Sequence, residues 1–406
     1  MARILFIHQN FPGQFRHIAP SLAAEGHEVL ALGMNAKADA LPGVRYICHR
    51  VRNAGHATEN SLLSDLHSKL LRGDSASAEL WRLKEEGFAP DIVFVHPGWG
   101  EAMFVKDVFP TAKTIIYAEY YYQSEGGDSH FDPEFSKPPS LQSLQKLRIR
   151  NTHLLHAMSA ADAALSPTQF QRDRHPAWFR DRISVIHDGI DTERFRPDAK
   201  AVVRLASQAI ALRPGDEVVT YVARQLEPYR GYHTFMRALP LLQKLRPTAR
   251  IVIVGGDGAS YGAAAPRGKT WKGIFRDEVA AELDMRRIHF VGKLPHAVLT
   301  QLMQVSAVYT YLTYPFVLSW SLLEAMSTGC LIVGSRTAPL EEVIAHGRNG
   351  LLTDFFDAEQ LAHTIASALA KRDSLTELRR AARRTVADRY DLHKICLPAQ
   401  KRFILD

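Results

Sequence analysis

The sequence predicts an α/β protein made of two doubly wound, parallel-sheet domains. Its 406 residues are enough for two domains of ordinary size, each with its own hydrophobic core. Near the N-terminus, and again after Pro214-Gly215, the chain repeats an order of apolar strand, tight turn and helix. That order is typical of a parallel sheet with helices on both faces. We place one domain at residues 1–190, a second at 191–390, and a C-terminal helix at 391–406.

The composition and the cysteines indicate a water-soluble chain. Hydrophobic residues make up 46% of it, and no uninterrupted apolar run approaches the roughly 20 residues of a membrane span. The N-terminus, MARILFIHQN, begins directly with a strand and shows no signal-peptide pattern. Cys48, Cys330 and Cys396 are far apart, with no metal-ligand spacing. We therefore expect a cytoplasmic protein with reduced thiols.

The formal net charge of +7 predicts anionic partners. Candidates are a nucleotide, a phosphorylated acceptor and anionic lipid. Nucleic acid is the obvious competitor, but the basic residues are spread over a large chain and are not interleaved with aromatic residues in a recognisable binding module. We expect no nucleic-acid partner.

The first domain opens with a strand, a glycine-containing turn and a helix. Residues 3–8 (RILFIH) form the strand, and the turn after it contains Gly13. The helix ends at Gly26, and residues 27–32 form the second strand. Gly13 is either part of an ordinary tight turn or a point of close backbone approach to a ligand.

Two further strands of this domain deliver polar side chains to one edge of the sheet. Residues 53–90 are predicted to be helical and carry no chemical signal. Residues 91–95 (DIVFV) lead to His96, and residues 114–118 (TIIYA) lead to Glu119. Ligands of open α/β sheets bind at the carboxyl ends of the strands. His96 is either a ligand contact or the cap of the following turn.

A long loop and a basic helix follow. Residues 124–139 are rich in Gly, Pro and Asp, and residues 140–158 form a helix that carries Lys146, Arg148 and Arg150. The basic stripe is either a solvated helix face or a surface that docks on anionic lipid.

The second domain places two arginines on either side of a strand-to-helix loop. Arg224 follows a strand at residues 218–223, and Arg230 precedes Gly231 at a helix start. Both guanidinium groups can point at a diphosphate.

A later stretch, TYPFVLSWSLLEAMSTG at residues 313–329, enters from a strand at 307–312 and leaves as a helix. Ser319 and Ser321 flank Trp320, where the helix should begin. The free amides and the positive dipole end of such a helix form an anion site. Glu324, in the first turns, is either solvated or faces whatever the loop binds.

As an ordered set, these segments resemble the family 4 retaining glycosyltransferases. The family pattern reads G-R-x4-K-G, then E-x7-E within an EGFGLxLLEAMA-like loop, then P-E-V and G-x-N-G. The matching stretches here are VARQLEPYRG at 222–231, FVLSWSLLEAM at 316–326 and the segment from Pro339 to Gly350. ISVIHDGIDTERFRP at 183–197 resembles the segment in which the family chain crosses between domains.

The resemblance implies the GT-B fold, in which two Rossmann-like domains face each other across a cleft. Residues 1–190 would form the acceptor-side domain, residues 191–390 the nucleotide-sugar-binding domain, and the helix at 391–406 would cross back to the first. The implied activity is retaining, hexosyltransferase-type transfer from a nucleotide-diphosphate sugar to a glycan, lipid-linked or other acceptor, as in polysaccharide biosynthesis. No metal or cofactor is expected, and peripheral contact with the inner membrane surface is a corollary of a lipid-linked acceptor.

The resemblance also assigns roles to individual residues. Arg224 and Arg230, with the amides near Trp320 and Ser321, would stabilise the leaving diphosphate. Glu119 stands where the family has a histidine that approaches the donor sugar, and it is the third catalytic candidate. The donor-binding residues implied are Gly13, His96, Gly292, Leu294, Phe316, Val317, Leu318, Ser319, Trp320, Ser321 and Glu324. Among them, Glu324 would hold the ribose, and the backbone around Gly292 and Leu294 would bind the base.

Phe316 departs from the family pattern. It stands where the first glutamate of E-x7-E would contact a hydroxyl of the donor sugar, and phenylalanine cannot accept a hydrogen bond. Either the donor lacks that hydroxyl or presents it differently, or another group such as Glu119 makes the contact, or activity is lost, or the alignment with the family pattern is shifted. Phe316 therefore makes a catalytically impaired nucleotide-sugar-binding relative one alternative function. A sugar-nucleotide 2-epimerase, which shares the fold, is the other.

Residues 259–273 form a longer connection than a strand-to-helix turn requires. They follow the strand at 249–254 and contain Arg267, Lys269 and Trp271. The sequence leaves two readings, a mobile flap and an oligomer contact.

Overall fold

A computed structural model of the chain describes residues 1–51, 63–205 and 210–406. These residues form two compact units, which we call unit 1 (residues 1–188 and 393–406) and unit 2 (residues 189–392). Each unit contains its own parallel sheet flanked by helices. The doubly wound α/β architecture predicted from the sequence is confirmed.

Unit 1 has a seven-stranded sheet in which all neighbouring strands are parallel. Its strands are β1 (Arg3–Ile7), β2 (Glu28–Gly33), β3 (Val44–Cys48), β4 (Ile92–Val95), β5 (Lys113–Tyr117), β6 (Ala163–Ser166) and β7 (Ile183–Val185). The spatial order is β3-β2-β1-β4-β5-β6-β7, so the direction of winding reverses between β1 and β4. In open α/β sheets a crevice for ligands forms at such a reversal.

The helices of the first 188 residues are α1 (Ile18–Ala24), α2 (Ser64–Glu85), α3 (Val105–Val108), α4 (Leu141–Arg150), α5 (Thr152–Ala160), α6 (Gln169–Asp173) and α7 (Ala177–Arg180). They cover a sheet that is apolar on both faces. In β1, Leu5 and Ile7 pack on one face with Leu80 of α2, while Ile4 and Phe6 pack on the other face. Successive side chains of a strand point to opposite faces of the sheet. Because both faces are buried here, the residues of β1 from Ile4 to Ile7 are all apolar.

Unit 2 has a six-stranded parallel sheet and a separate antiparallel pair. Its strands are β8 (Val203–Leu205), β9 (Ile210–Leu212), β10 (Val218–Gln225), β11 (Arg250–Gly256), β12 (Ile288–Gly292), β13 (Val308–Tyr311), β14 (Leu331–Ser335) and β15 (Leu351–Thr353). The parallel sheet has the order β12-β11-β10-β13-β14-β15, with its reversal between β10 and β13. Its helices are α8 (Tyr232–Leu245), α9 (Trp271–Val279), α10 (His296–Val305), α11 (Trp320–Ser327), α12 (Ala338–Glu341), α13 (Ala358–Ala370) and α14 (Thr376–Arg389).

A last helix, α15 (Leu397–Leu405), belongs to unit 1 although it follows unit 2 in the chain. Ile404 is fully buried in the core on the α1 face of the first sheet. Lys113 Nζ donates to the Ile404 carbonyl at 3.2 Å, and Gln400 Nε2 donates to the His187 carbonyl at 2.9 Å.

Two elements of unit 1 differ from the sequence-based prediction. The helix predicted at residues 140–158 is two helices, α4 and α5, interrupted at Asn151. The side chain of Asn151 accepts from the Tyr122 amide at 3.1 Å and donates to its carbonyl at 2.7 Å, so it serves the loop after β5. Strand β3 was not predicted, and residues 53–62 of the predicted helical segment lie outside the described residues. Within the described ranges, no helix combines the length and the apolar character needed to cross a membrane.

Candidate functional site

The candidate residues of unit 1 follow the carboxyl ends of three neighbouring strands. Gly13 follows β1, His96 follows β4 and Glu119 follows β5. Strand β4 pairs with both β1 and β5, so all three residues reach the edge of the sheet where the winding reverses. The structure therefore brings the three predicted residues of unit 1 together.

A chain of hydrogen bonds links this edge. His8 Nε2 lies 2.8 Å from Gln14 Oε1, and Gln14 Nε2 donates to Glu119 Oε1 at 2.8 Å. On the other side of the carboxylate, His96 Nε2 lies 3.4 Å from Glu119 Oε2. We call His8, Gln14, His96 and Glu119 the histidine cluster.

Backbone contacts fix the tautomers of the two histidines. Nδ1 of His8 accepts from the Asn10 amide at 3.0 Å, and Nδ1 of His96 accepts from the Gly98 amide at 3.1 Å. Each neutral ring therefore carries its proton on Nε2, from which His8 donates to Gln14 and His96 faces the carboxylate. His96 also caps the short 3₁₀ turn that follows it, as one of the two sequence readings proposed.

Burial and neighbouring groups set the charges in the histidine cluster. Burial lowers the pKa of His8 to about 3, so this ring is neutral at pH 7. Burial by itself raises the pKa of Glu119, but the contacts with His96, His8 and Gln14 outweigh it and hold the pKa below its usual value. The cluster thus presents one carboxylate whose charge is stabilised by polar neighbours.

Gly13 is required by the packing of His8. Its φ of +46° lies in the left-handed region, and a Cβ at this position would stand 2.4 Å from Nε2 of His8. The His8 ring is itself held 5.0 Å from the His96 ring and 4.9 Å from the Trp99 ring, centroid to centroid. Gly13 therefore makes room for a buried side chain of the cluster.

Unit 2 contains a pocket of about 360 Å³ at the carboxyl ends of β10, β11 and β13, which we call the arginine pocket. Strand β10 pairs with both β11 and β13, so these ends adjoin the reversal in this sheet. The lining residues are Val222, Ala223, Arg224, Arg230, Val254, Gly255, Tyr261, Lys293, Leu294, Leu299, Tyr311, Ser319 and Ser321. Both predicted arginines, two residues that directly follow β12 and the start of α11 thus meet in one place.

The two arginines are held differently. Arg224 is exposed near the end of β10, and within the described parts of the chain no hydrogen bond or ion pair engages its side chain. Arg230 is only 8% exposed. Its Nη1 donates to Thr313 Oγ1 at 2.7 Å, Tyr311 Oη at 3.1 Å and the Val317 carbonyl at 3.2 Å. Arg230 therefore fixes the loop after β13 as well as lining the pocket.

Helix α11 begins at Trp320, as the flanking serines predicted. Ser319 is its N-cap, and the Ser319 hydroxyl accepts from the Ser321 amide at 3.3 Å. The Ser319 amide donates to Tyr311 Oη at 2.9 Å. Both serines line the arginine pocket, whereas Trp320 packs partly buried against the core of unit 2.

Glu324 is buried, which rules out the solvated reading of its role. It is 7% exposed, and its Oε1 lies 3.2 Å from Nε2 of His296 at the start of α10. The side chain of His296 is 42% exposed. His296 was not among the predicted site residues, because a lone histidine 28 positions from Glu324 has no recognisable spacing.

Phe316 lies under two tyrosines. It is 4% exposed, and its ring centroid is 5.1 Å from that of Tyr229 and 5.2 Å from that of Tyr261. Leu318 is also buried, within the core of unit 2, and Val317 is half-buried. Tyr261 lines the arginine pocket, whereas Phe316 is not among the described residues that line it.

The connection after β11 is attached to unit 2 at its beginning. Glu227, which is fully buried, accepts from the Ser260 amide at 3.1 Å, the Ser260 hydroxyl at 2.6 Å, the Tyr261 amide at 3.3 Å and the Gly262 amide at 3.4 Å. These hydrogen bonds attach the first part of the connection to unit 2, and they test neither the flap nor the oligomer-contact reading of residues 259–273. The connection ends at α9, whose N-cap is Thr270.

Sequence reasoning missed several residues of these sites. Lys293 and Tyr261 line the arginine pocket, and Glu227 holds the segment that carries Tyr261. Gln14 joins the histidine cluster. A lysine directly after the predicted base-binding glycine was a usable signal for Lys293, whereas no local pattern marks Glu227 as a partner of residues 33 positions away. Among the described residues, no group of three His, Cys, Asp or Glu side chains is arranged to hold a metal ion.

Helix α4 carries the basic stripe predicted from the sequence. It has no buried residue, and Leu141 is 74% exposed. The guanidinium of Arg150 lies 3.6 Å from the centre of the Tyr122 ring, so one of the three basic side chains is used within unit 1.

Two family models match the chain. The model described as "Glycosyl transferase family 4 group" matches residues 25–195, and the model described as "Glycosyl transferases group 1" matches residues 204–385. Among curated proteins, the D-inositol 3-phosphate glycosyltransferase of Corynebacterium urealyticum is 27% identical over 266 residues. That alignment covers 65% of this chain and 58% of the relative, so the chain matches little more than half of that protein.

Solved structures resemble the chain over nearly its whole length. The Anabaena protein HepE, in complex with UDP and glucose, has a TM-score of 0.66 at 18% identity, and the alignment covers 99% of both chains. The sucrose-phosphate synthase of Thermosynechococcus elongatus has a TM-score of 0.70 at 17% identity, covering 99% of this chain and 98% of that one. At these identities the likeness concerns the fold.

Proposed function

Because this chain belongs to the group 1, family 4 glycosyl transferases and has the GT-B fold, we propose that it is a retaining glycosyltransferase that uses a nucleotide-diphosphate sugar. The observation that carries the proposal is the arginine pocket. Arg224, Arg230, Lys293 and the capped start of α11 meet there at the carboxyl ends of parallel strands. Cationic side chains and the amides of a helix N-terminus suit a diphosphate far better than a neutral ligand.

The arginine pocket is proposed to stabilise the leaving group. In the proposed reaction the bond from sugar C1 to the β-phosphate oxygen breaks, and the acceptor oxygen bonds to C1 on the same face. The acceptor proton passes to the departing phosphate. Negative charge accumulates on that phosphate, where Arg224 and Lys293 supply exposed positive groups and Arg230 a buried, hydrogen-bonded one. These groups make a metal ion unnecessary for charge stabilisation, so we propose a metal-independent enzyme.

The remaining candidates are proposed to position the donor. Glu324, oriented by His296, would accept hydrogen bonds from the ribose hydroxyls. The backbone around Gly292 and Leu294 would bind the base, since Leu294 lines the arginine pocket. In unit 1, Glu119 would contact the donor sugar, because its carboxylate is charged and oriented by Gln14.

The relatives suggest which compounds to test first. Structures of HepE contain UDP-glucose, or UDP and glucose, so a uridine diphosphate hexose is the first donor to try. The curated relatives are named for inositol 3-phosphate, a phosphorylated polyol, which agrees with a net charge of +7. A glycan or lipid-linked acceptor remains the broader proposal, with the exposed face of α4 as its membrane-proximal surface.

A thermal-shift panel of UDP, GDP, ADP, CMP and dTDP tests the proposal. We expect one diphosphate to raise the melting temperature selectively, because a ligand that binds only the folded state stabilises it. Arg224→Ala should abolish that shift. Arg286→Ala, which removes a side chain that is 90% exposed and is not part of the pocket, should leave it unchanged. An undiminished shift in Arg224→Ala would contradict the assignment of the diphosphate site.

One observation favours a second candidate function, a nucleotide-sugar-binding relative with impaired catalysis. Phe316 cannot hydrogen-bond a sugar hydroxyl, and its ring is buried. Incubation with a sugar nucleotide and acceptor, followed by detection of released nucleoside diphosphate, separates the active transferase from the impaired relative. The impaired relative binds the donor but releases no nucleoside diphosphate. Incubation with donor alone, followed by sugar analysis, identifies a 2-epimerase.

A further inference from the structure

One wall of the arginine pocket is formed by a residue that the sequence motifs do not include. The loop after β13 brings Phe316 beneath the surface, with 4% of it exposed, whereas Tyr261 is 38% exposed and lines the pocket. The two rings are in contact, with centroids 5.2 Å apart and planes at 59°. Tyr261 therefore covers Phe316 and presents its own phenol at this wall.

Tyr261 is held in place by a buried carboxylate. Glu227 is fully buried, and each of its oxygens accepts two hydrogen bonds from residues 260–262. Burying a carboxylate is costly unless such bonds compensate it. Because Glu227 immediately precedes the turn Pro228–Arg230, one short segment carries both the anchor of Tyr261 and the pocket arginine.

Tyr261 also lies against the group proposed to face the diphosphate. The guanidinium carbon of Arg230 is 5.2 Å from the centre of the Tyr261 ring, a distance suited to a cation–π contact. A sugar joined to the β-phosphate begins directly beside such a guanidinium. The Tyr261 ring thus contacts both Phe316 and Arg230, at the wall where a sugar attached to the β-phosphate would begin.

We propose that Tyr261, positioned by Glu227, makes the polar contact with the donor sugar that Phe316 cannot make, and so helps to determine which sugar is accepted. The inference rests on the proposed function, and it assigns to the connection after β11 a role in donor recognition. A phenol both donates and accepts one hydrogen bond, whereas a glutamate only accepts. A phenol can therefore bind a sugar hydroxyl, but it does not place a negative charge near C1 as a carboxylate would.

The test compares a nucleoside diphosphate with its sugar conjugates. The diphosphate chosen by the thermal-shift panel, UDP in the first instance, is titrated by calorimetry alongside its glucose, galactose and N-acetylglucosamine conjugates. The conjugate that binds most tightly is then used for the variants. In Tyr261→Phe we expect its Kd and KM to rise about fivefold, the effect of one lost hydrogen bond. The Kd of the diphosphate alone should stay within about twofold, because the ring that contacts Arg230 remains.

Glu227→Gln is a second route to the same result. A carboxamide presents an N–H₂ where one oxygen now accepts two hydrogen bonds, so the attachment of residues 260–262 weakens. We expect the same selective loss of sugar-nucleotide affinity. Glu278→Gln is the matched control, since that glutamate is partly exposed and pairs with Arg237 in α8. Tyr46→Phe, which removes a phenol hydroxyl that donates to the Asn35 carbonyl in unit 1, controls for loss of a hydroxyl as such.

The outcomes separate the two proposals. If no diphosphate binds the wild-type protein, the proposed function fails and this inference fails with it. If the diphosphate binds and Tyr261→Phe weakens diphosphate and sugar conjugate equally, or weakens neither, the inference alone is overturned. A melting temperature within 2 °C of wild type for Tyr261→Phe, measured in the same buffer, shows that a loss of affinity is not a loss of folding.

Discussion

Acidification from pH 7 to pH 5 is expected to unfold unit 1 because of its buried histidines. Burial lowers the pKa of His8 to about 3 and the pKa values of His153, His175 and His187 to about 4. Each of these residues is at most 6% exposed. The folded unit therefore keeps them neutral under conditions in which an unfolded chain would charge them.

The magnitude follows from proton linkage. The unfolded chain protonates each histidine below about pH 6.5, whereas the folded unit does so only near the lowered pKa. Between these values the unfolded state holds more protons, so the free energy of unfolding falls as the pH falls. At pH 5 the loss is about 2 kcal/mol for each histidine and about 8 kcal/mol for the four together. This is comparable with the entire stability of an ordinary domain, about 5–15 kcal/mol.

Urea unfolding at pH 7, 6 and 5, followed by tryptophan fluorescence, measures the effect. Pulse proteolysis with mass spectrometry identifies which unit loses its resistance. His187→Gln should shrink the difference in unfolding free energy between pH 7 and pH 5 by about 2 kcal/mol. The control His156→Gln, which replaces an exposed histidine of α5, should leave the difference unchanged. A loss below about 2 kcal/mol in unit 1, or an equal loss in unit 2, would refute the reasoning.

Two further substitutions test the packing and the chemistry. Gly231→Ala should lower the free energy of unfolding of unit 2 by about 2–4 kcal/mol, because φ is +67° and a Cβ would stand 2.4 Å from Leu312 Cβ. The control is Gly347→Ala, at φ +75° with open space around the Cβ. It should lower the free energy of unfolding by only about 1 kcal/mol in the same urea titration. Equal losses would mean that the contact with Leu312 is unimportant. Glu119→Gln should reduce the sugar-transfer rate about ten- to hundredfold, since a charged acceptor of the Gln14 amide is lost. Its diphosphate affinity, measured by calorimetry, should not change, and a matching loss there would contradict the role proposed for Glu119.

The fold was predictable because the signals that specify it are local. The central strands of both sheets are buried on both faces, and this gives uninterrupted apolar runs such as ILFI in β1 and IVIV in β11. Strand β3 was missed because it lies at the edge of its sheet and its residues are only partly buried or exposed. The interruption at Asn151 was missed because it involves neither proline nor glycine.

The candidate sites were predictable only in part. Arg224, Arg230 and the start of α11 follow from motifs in which the spacing itself has a physical meaning. Tyr261 and Glu227 do not, because the hydrogen bonds that place them join segments 33 to 35 residues apart. No periodicity or local composition encodes a contact of that kind.

The position of α15 has a consequence for dissecting the protein. Unit 1 is assembled from two stretches of chain separated by the whole of unit 2, and Ile404 fills part of its core. A fragment that stops at residue 188 would leave that apolar surface uncovered and prone to self-association. Unit 2, by contrast, is one uninterrupted stretch from residue 189 to 392, so truncation can isolate it without cutting through a core.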